Sequence, residues 1–352
     1  MKLPSPRGPV SALVFGWLRD DAGRSLQEAL AVVDGLPESA DCLHDDDLQA
    51  TLWTLYELHY GGFTDVADEL EWHPPLIQIR NALQRSFERQ LRAHTQQEVT
   101  ELAAGPHSAL PKRLAGFIEN FESPSAATYL QRQATHDQLR EYLIHRTIYH
   151  LKEADPHTWT IPRLTGPPKV ALAEIQYDEY GSGRPHRQHA TMFADTLTAC
   201  GLDSDYGAYF DQVPAITLAV NNMLSMFGLN RRLRGASMGH LAAFEATSSL
   251  PSKRIARALH RLQFPPIAAA YYDEHVEADA VHEQVALFDI CGRLAVTQPD
   301  LIEDICFGMA SCLHLEGLAA GYLVERWDGG VSALRSARGE EQNSSLSAAV
   351  VA

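Results

Sequence analysis

The chain has 352 residues, and 29 Lys and Arg against 45 Asp and Glu leave it at −16. So negative a surface excludes a nucleic-acid backbone or an anionic membrane as the expected partner. Apolar residues make up 45% of the chain, enough for a sizeable core in two average domains or one large one with an extension.

Five cysteines, an odd number with no CxxC pair, argue against a disulfide framework or structural zinc and for a reducing, cytoplasmic setting. The N-terminal residues lack the long apolar segment of a signal peptide, and no stretch reaches the ~20 apolar residues of a membrane span.

Residues 1–9 read as a flexible start, and nearly everything after them reads as helix. Leu26, Leu30 and Val33 give a helical stripe over 22–36 that ends at Gly35-Leu36-Pro37. Over 46–60 an acidic start precedes Leu48, Leu52, Leu55 and Tyr56, and Gly61-Gly62 stops the segment. A long helical stretch follows over 75–104, and Gly105-Pro106 closes an N-terminal helical subdomain at 10–105. The main domain, 106–336, carries helical patterns at roughly 112–120, 124–153, 168–179, 184–200, 205–229 and 231–249, then 252–290 with a Pro265-Pro266 break, and 298–327. The tail 337–352 is polar, then small and apolar, and reads as disordered. No sheet is expected and no repeat is found.

Candidate chemistry sits on these helices. Glu153 ends the segment HLKEADPH, where Asp155-Pro156 stops the helix; it is either a surface acid or a carboxylate balanced by a cation. Glu179 and His189 flank a Gly-x-Gly, which follows no strand and reads as a hinge rather than a phosphate cradle. His186 rivals His189 but stands in a first turn. Glu245 in HLAAFEATSSL lies in an apolar helix, where it must be paired, protonated or metal-bound unless that face is exposed. In EHVEADAVHEQ, His275, Asp279 and His282 stand at i, i+4 and i+7, within roughly 60° of one another on one face, where they can converge on a metal. The alternative is a solvated acidic helix. Glu274, Glu277 and Glu283 point elsewhere.

Taken together these are four carboxylates and three imidazoles on four or five helices, the way helical bundles build dimetal sites. Four carboxylates neutralise two Fe(II), which removes the cost of burying them unpaired. Imidazole suits Fe(II) and carboxylate oxygen suits the harder Fe(III). Two further groups are weaker. Arg231, Arg232 and Arg234 are a solvated basic turn or a grip for a substrate carboxylate. Met223, Met226 and Phe227 are core or the lining of a substrate channel.

The motifs HLKEADPHTW, EIQYDEYGSGRPHRQHATMF, LRGASMGHLAAFEATSSLP and YYDEHVEADAVHEQ resemble those of the haem-oxygenase-like diiron oxidase and oxygenase superfamily, in its bacterial iron-containing redox enzyme branch. The resemblance covers roughly 140–330, and weakly the helices around LWTLYELHYGGF. It implies an all-α, haem-oxygenase-like bundle of about seven core helices with an N-terminal helical extension. It also implies a non-haem diiron site without haem, with Glu153, Glu179, His189, Glu245, His275, Asp279 and His282 as ligands. Glu153 would be the extra carboxylate of the N-oxygenating members. A labile cofactor and a third core helix that shifts on metal binding are implied too, and Asn221-Asn222 and Gly228 are poor helix formers in that segment.

The expected activity is O2-dependent oxidation of a small molecule through a peroxo-diferric species. The lean is to N-oxygenation of an amine-type substrate, with C–H abstraction, oxidative decarboxylation or C–C cleavage as alternatives. O2 is then co-substrate, and electrons come from an external reductase or ferredoxin, since the chain has no flavin or nicotinamide fingerprint. A homodimer is left open. The rival readings are a haem or tetrapyrrole binder on the same fold and a non-catalytic iron-binding helical protein.

Overall fold

The structure, a computed structural model, describes residues 1–19, 26–35 and 41–335, with backbone alone at Leu26 and 277–280; the expected tail lies outside these residues. Among the described residues every regular element is helical. In chain order the α-helices are α1 (Pro9–Leu18), α2 (Leu26–Asp34), α3 (Asp46–Glu57), α4 (Pro74–His94), α5 (Gln96–Ala103), α6 (Leu110–Asn120), α7 (Ala126–Arg132), α8 (His136–His150), α9 (Asp155–Thr158), α10 (Pro167–Glu179), α11 (His189–Ala199), α12 (Ala215–Leu229), α13 (Arg234–Arg261), α14 (Ala270–Gln284), α15 (Arg293–Thr297) and α16 (Ile302–Asp328). A π-helical stretch, Val285–Gly292, joins α14 to α15.

Local chemistry explains most boundaries. The Asp45 carboxylate caps α3 by accepting from the backbone of Asp47 and Leu48 at 2.9 and 3.0 Å. The segment expected as one helix over 124–153 is two, because Thr135 and Gln138 form a reciprocal capping box that starts α8 afresh. The helix expected from 205 begins only at Ala215, behind Pro214. In the opposite sense, α13 does not stop near 249 but runs through Pro251 to Arg261. A proline inside a helix costs roughly 3 kcal/mol, and packing against α14 and α16 offsets it.

The start of the chain is not loose. Leu3 is buried, and the Arg7 guanidinium donates to Asp46 Oδ1 at 3.0 Å and to the Val213 carbonyl at 2.8 Å. The core is also continuous across the expected boundary near 105: Phe15, Trp53 and Phe87 belong to one buried cluster with Leu218, Met238 and Phe307. Lys152 makes the tie directly. Its buried ammonium donates to the buried Glu57 carboxylate at 2.8 Å and lies 4.2 Å from the Tyr60 ring centre. A second cluster, including Leu139, Phe193, Leu259, Tyr271 and Trp327, gathers α8, α11, α14 and the ends of α13 and α16.

Two glycines let α13 and α16 approach closely. A methyl on Gly239 would collide with the Ile305 carbonyl oxygen, and one on Gly308 with that of Ala236. Gly228 of α12 likewise faces the Pro156 carbonyl, so its place in the sequence reflects close packing rather than a weak helix. By length and composition α16 is apolar enough to cross a membrane, against expectation, but 56% of its most apolar stretch is buried inside the molecule.

All five cysteines are buried thiols.

Gly308→Ala is expected to lower the melting temperature by several degrees, since neither neighbouring backbone can yield. Gly116→Ala, in a helix with open space around it, is expected to raise stability by about 0.5–1 kcal/mol. Thermal denaturation of the two variants checks both signs.

Candidate metal centre

Glu153 does not close a helix as its spacing predicts. The preceding helix α8 ends at His150, and Glu153 stands in the turn before α9. Ala154 follows it at φ 77°, a conformation that costs an L-residue about 1–3 kcal/mol. That strained turn sends Lys152 toward Glu57 and Glu153 inward, where its side chain is buried and accepts from the Tyr271 hydroxyl at 2.6 Å. His150 Nδ1 in turn faces the Tyr271 hydroxyl.

Glu179 is the last residue of α10, and His189 the first of α11. Between them the Gly-x-Gly forms a tight reversal. Gly181 at φ 82° is required there, because a methyl would press on the backbone of Arg184 and Gln188. The reversal sets His189 Nδ1 2.9 Å from Glu179 Oε2. His186, the rival, is exposed. Glu245 lies buried in the middle of α13, and His275 and His282 are buried on α14, two turns apart.

The side chains gather into two buried trios, Glu153 with His189 and His275, and Glu179 with Glu245 and His282. In each trio one ligand atom per residue lies within 4.8 Å of the others. The α14 stripe therefore does not converge on one point. Seven residues of helix at ~1.5 Å rise separate its two imidazoles, and each joins a different trio. Glu179, through its contact with His189, stands between the trios. The Asp279 side chain lies outside the described residues.

The donor set fits a cation in each trio. His189 Nδ1 and His282 Nδ1 are buried and, among the described residues, make no well-aligned hydrogen bond, although His189 Nδ1 pairs with Glu179 Oε2. Carboxylate oxygens face the second of these, from Glu245 at 3.5 Å and Glu179 at 3.9 Å. One ring nitrogen each of His275 and His282 is held from behind. His275 Nδ1 lies 2.7 Å from the Tyr271 carbonyl, which makes Nδ1 a protonated nitrogen and turns Nε2 toward Glu153 Oε1, 3.5 Å away. His282 Nε2 lies 3.3 Å from Asp178 Oδ2.

Electrostatics agree. Burial pushes the Glu153 carboxyl up, but His150 and His275 beside it hold it well below the usual range. Burial pulls His282 down, yet Glu245, Glu179 and Asp178 bring it up to about 9. Burial likewise opposes and Glu179 raises His189. The carboxylates that favour a proton on His282 would equally favour a cation beside it.

A cavity of about 260 Å³ reaches Glu153 and His275. Its walls include Tyr149, Leu224, Phe244 and Ile255, with Arg146 and Glu316 as the charged pair, 3.1 Å apart. None of Arg231, Arg232 and Arg234 lines it, so of the two readings of that turn the grip on a substrate carboxylate finds no support there. Met223, Met226 and Phe227 are buried core and do not line it either. Sequence reasoning missed His150, Tyr271 and Asp178. The spacing of His150 three residues before Glu153 was the only local signal for the first, and adjacency to Glu179 for the last.

The model of a family described as iron-containing redox enzymes matches residues 140–317. This chain belongs to that family. Its fold is the haem-oxygenase-like, all-α one. A nitrosourea synthase from Streptomyces achromogenes subsp. streptozoticus is 28% identical over 160 residues, 45% of this chain. The match spans 34% of that relative's length. A CADD-like protein of unknown function from Nostoc punctiforme, at 16% identity, overlays 65% of this chain and 98% of its own with a TM-score of 0.49; a second structure of it gives 0.48 at 15%.

By the carboxylates around it His282 is raised above its unfolded value of ~6.5. Its stabilising share is complete below that pH and is lost as pH rises through about 9. Melting of chelator-treated protein is expected to fall between pH 6.5 and 9, and His282→Asn to flatten the slope; an equal slope in both proteins would contradict the assignment.

Proposed function

We propose that the chain is a non-haem diiron oxygenase or oxidase, with Glu153, His189 and His275 holding one iron and Glu179, Glu245 and His282 the other. Asp279, nominated by the sequence pattern, is the seventh ligand. The observation that carries this is the pair of buried trios joined by Glu179, each with a buried imidazole nitrogen turned to carboxylate oxygens. Three carboxylates, with Asp279 as a fourth, offset the charge of two Fe(II), and buried charges survive only when so compensated. Once bound, the iron pair supplies the electrons and open coordination positions for reducing O2, the co-substrate.

The chain's own residues set the conditions. The Tyr271 carbonyl fixes the His275 tautomer, and Asp178 orients His282 from the opposite ring edge. The Tyr271 hydroxyl donates to Glu153 Oε2, so that oxygen is held in place and its partner oxygen is turned to His275. The 260 Å³ cavity receives a small substrate beside the first trio, and its apolar walls keep water away.

The relative's name places its chemistry at nitrogen. On that support we assign N-oxygenation of an amine-type substrate to this chain. One atom of O2 goes to nitrogen and the other leaves as water, with two electrons from an external reductase or ferredoxin.

Anaerobic loading with Fe(II) is expected to give two irons per chain. His275→Ala and Glu245→Ala should each lower that count, whereas Glu274→Ala, which loses only its surface pair with Arg187, should keep it. A single zinc, or the same loss in all three variants, would overturn the diiron reading. Thr247→Trp, on the cavity wall, is expected to suppress substrate-dependent O2 uptake while two irons stay bound. Unchanged uptake would place the substrate elsewhere.

A further inference from the structure

The arginines at 231, 232 and 234 divide by partner. Arg232 Nη1 donates to Glu88 Oε1 at 2.9 Å, and its Nη2 donates to the other oxygen of the same carboxylate. Arg231 and Arg234 instead line a surface cleft of about 600 Å³ together with Arg163, from the turn after α9, and Arg293, at the start of α15. No aspartate or glutamate lines this cleft.

Nor does any of the four guanidiniums meet a carboxylate among the described residues. Arg163 donates to the carbonyl oxygens of Gly228 and Leu229, the latter at 2.9 Å. Arg234 donates to Gln298 Oε1 at 3.1 Å and to the Arg231 carbonyl at 3.4 Å. The side chains of Arg231 and Arg293 are exposed and make no hydrogen bond within the described chain. The carboxylates that Arg232 faces, Glu88 and Asp304, are both held by Arg92 as well.

This is an unusual distribution in a chain whose acids outnumber its bases by 45 to 29. Four like charges around one concavity repel one another, and burial together with the nearby Arg231 already pulls the Arg163 guanidinium down. An anion in the cleft removes that repulsion and meets planar donors suited to phosphate oxygens.

We propose that the cleft is a second ligand site, for a small molecule that carries a diphosphate group. One carboxylate occupies one or two guanidiniums; four of them call for the several oxygens of a diphosphate. An acidic protein fits less well, because the net charge of −16 repels it over the whole approach. A small polyanion meets only the local field, since screening limits the rest to about 8 Å at physiological salt. The cleft is remote from the trios. It lies at Pro167 and Pro168, and α10 runs from there to Glu179, a distance of about 18 Å at ~1.5 Å per residue. The proposal therefore stands or falls apart from the diiron reading.

Calorimetric titration of the full chain with inorganic pyrophosphate and with inorganic phosphate, against chloride at matched ionic strength and without divalent metal, tests it. Pyrophosphate is expected to bind once per chain and more tightly than phosphate. Arg231→Ala with Arg293→Ala should weaken it on the order of tenfold or more, as two charge-assisted contacts are lost, and Arg293→Glu should abolish it. Both residues are exposed, so melting temperature and iron content should not change. No binding to the parent beyond that of chloride would overturn the proposal and leave an acidic protein or solvent as occupant. Equal affinity in parent and variants would overturn it too, by placing the anion elsewhere, the metal ligands included.

Discussion

Six ionisable side chains share one dry space between helices, and that burial constrains everything around them. Glu153, Glu179, Glu245, His189, His275 and His282 are each at most 7% exposed. A carboxylate taken out of water costs several kcal/mol unless an opposite charge or a hydrogen bond answers it. Here the imidazoles answer the carboxylates in part, and the unsatisfied ring nitrogens mark what is left over. The helices have been placed to make that compensation possible: two turns of α14, the reversal between α10 and α11, the middle of α13 and a strained turn after α8 all deliver side chains to one region.

The delivery depends on contacts remote from the chemistry. Glu245 reaches its trio because α13 is held against α16 at a separation that only Gly239 and Gly308 allow. Glu153 is aimed inward because its neighbour Lys152 is committed to Glu57 and because Tyr271 meets it from α14. Neither carboxylate is positioned by its own helix alone. The packing of the bundle and the geometry of the site are in this sense a single problem.

Sequence reading succeeded where the code is local. Glu179 and His189 bracket a Gly-x-Gly, and a left-handed reversal between two helices follows from those glycines. The split of His275 and His282 between two trios was not legible, because helical periodicity fixes the face and says nothing of what lies opposite each turn. The burial of Glu153 depends on Tyr271, 118 residues away, so its neighbours in sequence described only a helix end. Pro251 and Gly105-Pro106 are local signals for breaks; tertiary packing overruled the first, and a continuous core crosses the second. The arginines at 231–234 were legible as a basic turn, but their separation into one paired and two unpaired groups depends on Glu88 in a distant helix.

The buried pair of Lys152 and Glu57 ties the oldest question about such a chain, where one part ends and another begins, to the chemistry itself. Cutting the chain near 105 would take away the carboxylate that neutralises Lys152 and two of the rings over which it lies, Trp53 and Tyr60. The stranded ammonium would then have to reach water, and the residue beside it is Glu153. Excision of the first hundred residues is therefore not a neutral trimming: it would unfasten the turn that presents a candidate ligand. The N-terminal helices are better regarded as the back wall of the centre than as an appendage to it, and grafting this centre onto another scaffold would have to bring them along.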